Sequence, residues 1–488
     1  MKRFFNYTFL LIMGLALKGC GDDLLDKQPL DRISSEEFWE TETDFHMGLT
    51  SLYGSLQGGG GLFSYGIPNW DVITDNAYGQ HNYWGSQEFV QGTISPSSGG
   101  YITDVYNASY NGIARINIFL QQLEAEQGSV LDPETKSRME AEARFIRGYY
   151  YWMLFFTYGD VPIVTQPLSL DNQVQPKSSA QEVLDQSLSD LDFAIANLPD
   201  VLYASGGGRA VKSSAQALKT RILMYTAFDR NGDPDDMVLN QARELALEVM
   251  GDGYQLDAEF ANVFRDGTQE GNPEIIFSIK FLAPDNSHSM DLWYGDWLVV
   301  GPLQNFVDEF EQGDIRLDET IFEEVVEFNG NIHNPSDHDP TGYGLKKFLS
   351  PNEIPYTYST NSQQDWVMLR YAEVLLMYAE AQNELSGPDA SVYEAINEIR
   401  NRAGLAPLSE GLNQMQMRES IRHERRVELA FEGLRLYDLK RWGIAQEVLN
   451  NVQDGILTYN YEERFYHWPL PQTEIDKSQG ELVQNPDY

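Results

Sequence analysis

The chain has 488 residues, of which 34 are basic and 74 acidic, and its formal net charge at pH 7 is −40. Because the acidic residues are spread along the chain, this balance argues against nucleic acids and anionic lipid surfaces as partners, which require clustered lysine and arginine. A hydrophobic content of 42% is ordinary for a globular protein, and the chain is long enough to bury a core without the help of disulfides.

The first residues predict an export signal. Met1-Lys-Arg is basic, residues 4–17 are apolar, and Cys20, the only cysteine, stands where signal cleavage would fall. This is the order of a secretory signal peptide, and the apolar run is too short to span a bilayer. An N-terminal cysteine can be acylated, and two or more acyl chains anchor a protein stably. We therefore predict a signal peptide over residues 1–19, lipidation at Cys20 and a tether over residues 20–33. A plain secretory signal with an incidental cysteine is the alternative.

The next segment combines one helix with a long loop. Ser34 and Ser35, followed by two glutamates, predict a helix start, and the helix runs to about Leu56 before the glycines at 58–61. From there to residue 102, glycine, aromatic residues, Asn and Asp follow no helical period. Loops of this length are usually functional or disordered, and the aromatic content argues against disorder.

Helices dominate the following part of the chain. Pro133 opens a helix with an apolar residue at every third or fourth position from Met139 to Met153, and a second apolar stripe runs beside the first. Such a helix must pack against neighbours on both sides. The same periodicity predicts further helices over 180–197, 213–228, 239–250, 366–385, 391–403 and 415–432, whereas residues 254–361 have an irregular, short-stranded pattern.

Paired helices at intervals of a few tens of residues are typical of tetratricopeptide-like hairpins. We therefore predict a mostly α fold in a single composite domain over residues 34–488. Its helical scaffold takes in residues of about 34–57, 103–250 and 366–450, and its loop-rich face takes in about 58–102 and 254–361.

The sequence contains no motif of an enzyme or a cofactor site. The patterns GxSxG, HExxH, GxxxxGK[ST] and a GxGxxG after a strand are missing. Residues 229–236 resemble the opening of a calcium loop, but a proline takes the sixth position and the bidentate acid is missing, so an interhelical turn is favoured. If Cys20 is acylated, no thiol remains for a metal or a nucleophile. We expect no catalysis, no cofactor and no metal.

Two segments place large aromatic residues among Asp, Asn and His in apparent loops. They are residues 69–84 and residues 281–297. A sugar ring presents an apolar C–H face and a rim of hydroxyls, so its recognition needs flat aromatic side chains together with short side chains that donate and accept hydrogen bonds. Both segments supply both kinds of residue. For any single ring, an aromatic anchor buried against the core is the alternative.

Long motifs occupy residues 366–381, 395–405, 421–442 and 468–488, and shorter ones precede them at 141–162 and 272–277. These motifs resemble those of the SusD/RagB family of Bacteroidetes outer-membrane lipoproteins. The resemblance extends over essentially the whole chain after Cys20. It implies the SusD-like fold, with tetratricopeptide-like helices as scaffold and a variable, loop-rich face that holds ligand.

In function, the resemblance implies a nutrient-binding lipoprotein on the cell surface, anchored in the outer membrane through Cys20. It also implies a SusC-like TonB-dependent transporter as partner, on which the protein sits as a lid and to which it delivers captured glycan. Asp22 and Asp23 resemble the export signal of such lipoproteins. Four charged motif residues are best interpreted as scaffold, since buried charges must be paired: Arg144, Glu373, Glu424 and Arg425.

We predict that the protein binds a poly- or oligosaccharide without making or breaking bonds. Within the family, a peptide or glycoprotein ligand is the alternative. Outside it, the alternatives are a surface glycoside hydrolase with two facing acids and a protein-binding adaptor. The predicted ligand-binding residues, the last of them placed only by a family motif, are Asp75, Asn76, Tyr78, His81, Tyr83, Trp84, Trp293, Tyr294, Trp297 and Arg370.

Overall fold

The computed structural model describes residues 38–57, 70–323, 326–328, 331–350 and 354–488. The predicted signal peptide, the lipidation site at Cys20, the tether and the helix start at Ser34 lie outside these residues, as do the glycines at 58–61. In the part of the chain that the structure describes, no helix is both long enough and apolar enough to cross a bilayer.

The described residues are mostly helical, which confirms the predicted fold class. The helices are α1 (Glu42–Gly54), α2 (Ser86–Val90), α3 (Tyr101–Ala125), α4 (Pro133–Tyr158), α5 (Ala180–Asn197), α6 (Lys212–Thr226), α7 (Asp236–Gly251), α8 (Gln304–Val307), α9 (Arg316–Thr320), α10 (Pro335–His338), α11 (Tyr371–Ser386), α12 (Ala390–Arg402), α13 (Gln414–Glu428), α14 (Arg435–Arg441), α15 (Ala445–Asn450) and α16 (Gln472–Lys477). Short 3-10 turns lie at Trp70–Ile73, Tyr203–Ser205, Phe260–Val263 and Glu463–Tyr466, and a π-helical turn lies at Leu292–Asp296.

Helix α4 shows how the local sequence sets a helix. The Asp132 carboxylate accepts hydrogen bonds from two backbone N–H groups of the first turn, and Pro133 occupies the first helical position, where no donor is needed. Gly159 ends the helix with a φ of 72°. In the second half of α4 nearly every side chain is buried, as the two apolar stripes predict.

Neighbouring helices pack side by side. Helix α4 packs against α3 and α5, α6 packs against α5 and α7, and α11 packs against α7, α12 and α13. The result is a continuous stack of helices around one large hydrophobic core. The tetratricopeptide-like character of these hairpins stays a prediction.

Among the described residues, eight short strands form four two-stranded antiparallel sheets. Strand β1 (Ala77–Gly79) pairs with β3 (Val300–Pro302), β2 (Ile275–Ile279) with β8 (Trp366–Arg370), β4 (Ile321–Phe322) with β7 (Gly344–Leu345), and β5 (Val326–Phe328) with β6 (Asn331–His333). Short ladders, rather than one sheet, therefore hold the loop-rich part of the chain together.

Two predicted helix bounds differ from the structure. Helix α1 begins at Glu42, where Thr41 and Asp44 form a capping box, and residues 38–41, which the predicted helix includes, are not helical. Residues 366–370 form strand β8 and not the first turn of a helix, and helix α11 begins only at Tyr371. Both faces of β8 are buried, so its residues are apolar without alternation, and a short run of this kind has no period that separates a strand from a helix.

Buried ion pairs connect the loop-rich segments to the C-terminal helices. Glu428, at the end of α13, is fully buried, and its carboxylate accepts hydrogen bonds from Arg316, Arg370 and Arg402. Arg370 also binds Glu274 at 2.8 Å. Although burial alone raises the pKa of Glu428, the three guanidinium groups hold it well below its usual value. A charge in this position is stable only while its partners remain.

We expect Glu428→Gln to destabilise the protein strongly, because it leaves three buried guanidinium groups with one counter-charge fewer. The expected loss is about 3–5 kcal/mol in the free energy of unfolding, measured by chemical denaturation. Lys477→Gln is the control, since Lys477 forms a surface pair with Glu474, and it is expected to cost less than about 1 kcal/mol. Equal losses in the two variants would contradict the role of the buried network.

Candidate functional site

The pairing of β1 with β3 brings the two predicted aromatic segments together. Gly79 lies opposite Val300, and the N–H of Gln80 donates to the carbonyl of Val299 at 3.2 Å. Because the strands are antiparallel, the chain that leaves β1 runs beside the chain that enters β3. The residues just after β1 and just before β3 therefore meet at one end of this ladder.

Six rings gather at that end and form what we call the aromatic patch: His81, Tyr83, Trp84, Trp293, Trp297 and Tyr358. The ring centroid of Tyr83 lies 5.0 Å from that of Trp293 and 6.4 Å from that of Trp297. Trp84 stacks on Trp293 at 5.7 Å, with 26° between the ring planes. These are ordinary distances for interacting aromatic rings, so the patch is one continuous cluster.

The rings of the patch differ in exposure. Four are half-buried, His81 is exposed, and Tyr358 is 70% exposed. The half-buried rings pack against the hydrophobic core and leave the rest of their surface to solvent. A ring held in this way offers a flat apolar surface and loses little rotamer freedom when a ligand binds.

Tyr358 is a member of the patch that the sequence does not predict. It lies on the loop before β8, and its ring meets that of Trp297 edge to face at 6.4 Å. Residues 354–361 do not resemble the dense aromatic segments on which the prediction was based. Only the folded chain brings this tyrosine to the site.

The backbone that carries the first three rings has a rare conformation. His81, Asn82 and Trp84 have positive φ angles of 65°, 50° and 59°. Residues other than glycine adopt such angles at a cost, and such residues cluster at functional sites. The Asn82 side chain accepts a hydrogen bond from the N–H of Gln87 at 2.9 Å, which supports the turn.

A buried carboxylate fixes the second aromatic segment. Trp293 lies on the π-helical turn, a feature frequent at functional sites. Just before this turn, the Asp291 carboxylate accepts hydrogen bonds from the N–H of Ser350 at 2.7 Å and from the hydroxyl of Ser362 at 2.6 Å. These bonds tie the π-helical turn to both ends of the loop that carries Tyr358.

Polar groups border the rings. The Gln80 amide donates to the carbonyl of Trp297 at 3.4 Å and lies 3.0 Å from a nitrogen of the His81 ring. Asn82 and Ser359 are exposed beside patch residues. Amide, hydroxyl and imidazole groups donate and accept hydrogen bonds, which a ligand rich in hydroxyls requires.

The structure corrects the assignment of Asp75 and Asn76, which are buried. The Asp75 carboxylate binds Arg435 and Arg426 at 2.8 and 3.0 Å. Burial alone would raise the pKa of Asp75, but these two guanidinium groups hold it below its usual value. Asn76 donates to the Asp71 carboxylate at 2.8 Å. Both residues fasten the first aromatic segment to the C-terminal helices and are inaccessible to a ligand at the surface.

Three further predicted residues lie away from the patch. Tyr294 is fully buried, and Arg370, 1% exposed, belongs to the network around Glu428. Tyr78 is half-buried in a separate small cluster with Tyr459. The structure thus brings together five of the predicted ligand-binding residues, namely His81, Tyr83, Trp84, Trp293 and Trp297. Three of the four predicted scaffold residues, Glu373, Glu424 and Arg425, are buried in ion pairs, and Arg144 pairs with Glu140 near the surface.

Open clefts also occur in the helical scaffold. Three of them have volumes of about 570, 660 and 520 Å³, and none of these three is lined by a patch residue. Across the described ranges of the chain, no group of three His, Cys, Asp or Glu side chains lies close enough to hold a metal ion. The patch is the candidate ligand site because partly exposed rings and hydrogen-bonding groups meet there.

We expect Gly100→Ala to disturb the patch. Gly100 has a φ of 59°, and a Cβ atom there would lie 2.0 Å from the carbonyl oxygen of Trp84. The displaced tryptophan should change the near-ultraviolet circular dichroism spectrum and lower the melting temperature. Gly99→Ala is the matched control, because a Cβ atom at Gly99 meets open space. A Gly100→Ala spectrum identical to that of the control would contradict the role of this contact.

A pH dependence is expected from Asp71, which anchors the first aromatic segment. Burial raises the pKa of its carboxyl from 3.8 to about 6. The folded protein therefore binds more protons than the unfolded chain between these values, and it loses about 3 kcal/mol of stability as the pH rises through them. We expect the melting temperature of Asp71→Asn, relative to that of the unaltered protein, to be higher at pH 7 than at pH 4. Asp285→Asn, at an exposed position, is the control. A difference independent of pH would contradict the raised pKa.

Two family models match the chain. One is described as the SusD family and matches residues 297–488, and the other is described as starch-binding associating with outer membrane and matches residues 23–224. Among curated relatives, a SusD-like protein of Formosa agariphila is 26% identical over 95% of this chain and 94% of its own length. A SusD-like protein of Bacteroides ovatus is 23% identical over 91% of this chain and 83% of its own length.

Solved structures show the same likeness. A SusD-like protein from Bacteroides fragilis superimposes with a TM-score of 0.78 at 27% identity, which covers 95% of this chain and 100% of that one. A laminarin-binding SusD-like protein superimposes with a TM-score of 0.74 at 25% identity, which covers 92% of this chain and 100% of that one. The agreement extends over the helical scaffold and the loop-rich part together.

Proposed function

Because the chain belongs to the SusD family, we propose that it is a glycan-binding protein of the cell surface and that the aromatic patch is its ligand site. The observation that carries this proposal is the convergence of the patch. Rings from two distant segments are fixed side by side, partly exposed, next to amide and hydroxyl groups. The apolar C–H face and the hydroxyl rim of a sugar ring require this combination of groups.

Binding at the patch needs no chemical step. The C–H faces of the sugar rings lie on the exposed surfaces of Trp297 and Tyr358, and the hydroxyl rim meets polar groups such as Gln80 and Asn82. Trp84 stacks on both Trp293 and Tyr101 and so supports the patch. Because the strained turn and the Asp291 carboxylate position the rings in advance, little conformational entropy is lost on binding. The ligand is held by stacking and hydrogen bonds, and it leaves unchanged.

The proposed place of action is the outer membrane. The family model described as starch-binding associating with outer membrane supports this location. A lipid anchor at Cys20 and delivery of the captured glycan to a SusC-like TonB-dependent transporter complete the proposal, on the basis of the predicted signal peptide and the family. The name of one structural neighbour, a laminarin-binding protein, supports a polysaccharide as the class of ligand.

The test is a binding assay against a panel of polysaccharides, with the purified protein and variants of the patch. We expect saturable binding to at least one polysaccharide and an increase in Kd of about tenfold or more in Trp84→Ala and Trp297→Ala. Trp297→Phe keeps an aromatic surface and is expected to lose less. Tyr358→Ala removes an exposed ring and should weaken binding without lowering the melting temperature.

Leu170→Ala is the matched surface control, because Leu170 is 86% exposed and lies outside the patch. It is expected to bind like the unaltered protein. Binding that is the same in all variants would place the ligand elsewhere on the molecule. A protein that binds peptides and no polysaccharide would contradict the proposal, and so would the release of reducing ends from a bound glycan.

A further inference from the structure

We infer that the aromatic patch selects uncharged glycans and discriminates against sulfated or carboxylated ones. This inference rests on the proposed function and names the substrate class of the same site. It is drawn from the charges of the segments that form the loop-rich face and from the partners of each cation among them.

The sequence distributes its few cations unevenly. Residues 33–114, which include the first aromatic segment, contain nine acidic residues and no lysine or arginine. Residues 281–369, which include the second aromatic segment and Tyr358, contain sixteen acidic residues and three basic ones, Arg316, Lys346 and Lys347. The segments that build the patch are therefore strongly negative.

The three cations are engaged with other groups. Arg316 is 1% exposed and pairs with Asp314 at 2.7 Å and with the acids of α13. Lys347 is equally buried and pairs with Glu432 at 2.7 Å. The half-buried Lys346 donates to the backbone carbonyl of Asp318 at 2.5 Å. Each of them satisfies a partner within the fold.

The cation that precedes the second segment in the chain is committed in the same way. Lys280 binds Asp365 at 2.8 Å and Glu270 at 3.0 Å. Arg426, which supports the first segment, pairs with both Asp75 and Glu309. Both of these cations thus neutralise acids of the protein itself.

A sulfate or carboxylate on a ligand would meet a site of the wrong sign. Aromatic ring faces carry negative charge density, and the neighbouring polar side chains, the exposed Asn82 and Ser359 and the half-buried Gln80, are uncharged. An anionic ligand would also approach against the negative charge of the surrounding segments. Sugar hydroxyls, by contrast, carry no charge and are not repelled by such a surface. Affinity at the patch should therefore be independent of salt for neutral glycans.

The test compares a neutral panel of laminarin, starch, dextran and xylan with an anionic panel of alginate, pectin, carrageenan and dextran sulfate. We expect the tightest ligand to be neutral and its Kd to be the same at about 20 mM and about 500 mM NaCl. At the lower salt concentration, we also expect the Kd of every anionic polysaccharide to be at least about tenfold higher than that of the tightest neutral ligand.

A charge variant provides a gain-of-function arm. Ser359 is exposed next to Tyr358, so Ser359→Lys places a free cation at the patch, and Ser359→Gln is its neutral control. We expect Ser359→Lys to bind dextran sulfate more tightly than the control at low salt, and to bind the neutral ligand unchanged. An anionic polysaccharide as the tightest ligand of the unaltered protein would overturn the inference and leave the proposed function standing. Binding to neither panel would contradict the proposed function, and the inference with it.

Discussion

The buried C-terminal end of helix α13 holds the loop-rich segments and the helical scaffold together. At the end of α13, Glu428 accepts hydrogen bonds from arginines of α9, β8 and α12, and two residues earlier Arg426 reaches the segment before β1. Charges removed from water are stable only when all their partners are in place. The loop-rich segments therefore cannot be repositioned one at a time, because each shares its counter-ion with the others. The described residues of the loop-rich segments are thus fastened to the helical stack through shared counter-ions.

The ladder between β1 and β3 has only three residue pairs, yet it brings together the segments that form the aromatic patch. Strands β1 and β3 each span three residues, yet their register decides which side chains become neighbours. The chain beyond the ladder has three non-glycine residues with positive φ on one side and a π-helical turn on the other. Both are costly local geometries, and both present aromatic rings to solvent. The stable network supplies the free energy that lets this end of the molecule keep an unfavourable backbone.

Local sequence signals predicted the helices well, and they predicted the site only in part. Pro133 predicted the first residue of α4, and the apolar period predicted α5 at its observed bounds, because these signals lie in neighbouring residues. Strand β8 was mistaken for helix because its partner β2 is distant in the chain. Local sequence also fails to show the contacts of Asp75 and Arg370, whose partners are distant in the chain. A charged residue in a loop motif has the same sequence pattern whether it contacts a ligand or a buried counter-ion, and only tertiary contacts distinguish the two. Tyr358 enters the patch through contacts that no local pattern records.

The ladder between β1 and β3 has a consequence for the order of folding. Its partners, Gly79 and Val300, are separated by most of the helical scaffold, and the arginines that secure the first segment come later still, at 426 and 435. Contacts so distant in the chain close late, after the local helices have formed. A chain interrupted before α13 can form helices, but it lacks the two arginines that fasten the first aromatic segment through Asp75. Binding at the proposed ligand site therefore requires the completed chain, and it would report on folding as a whole.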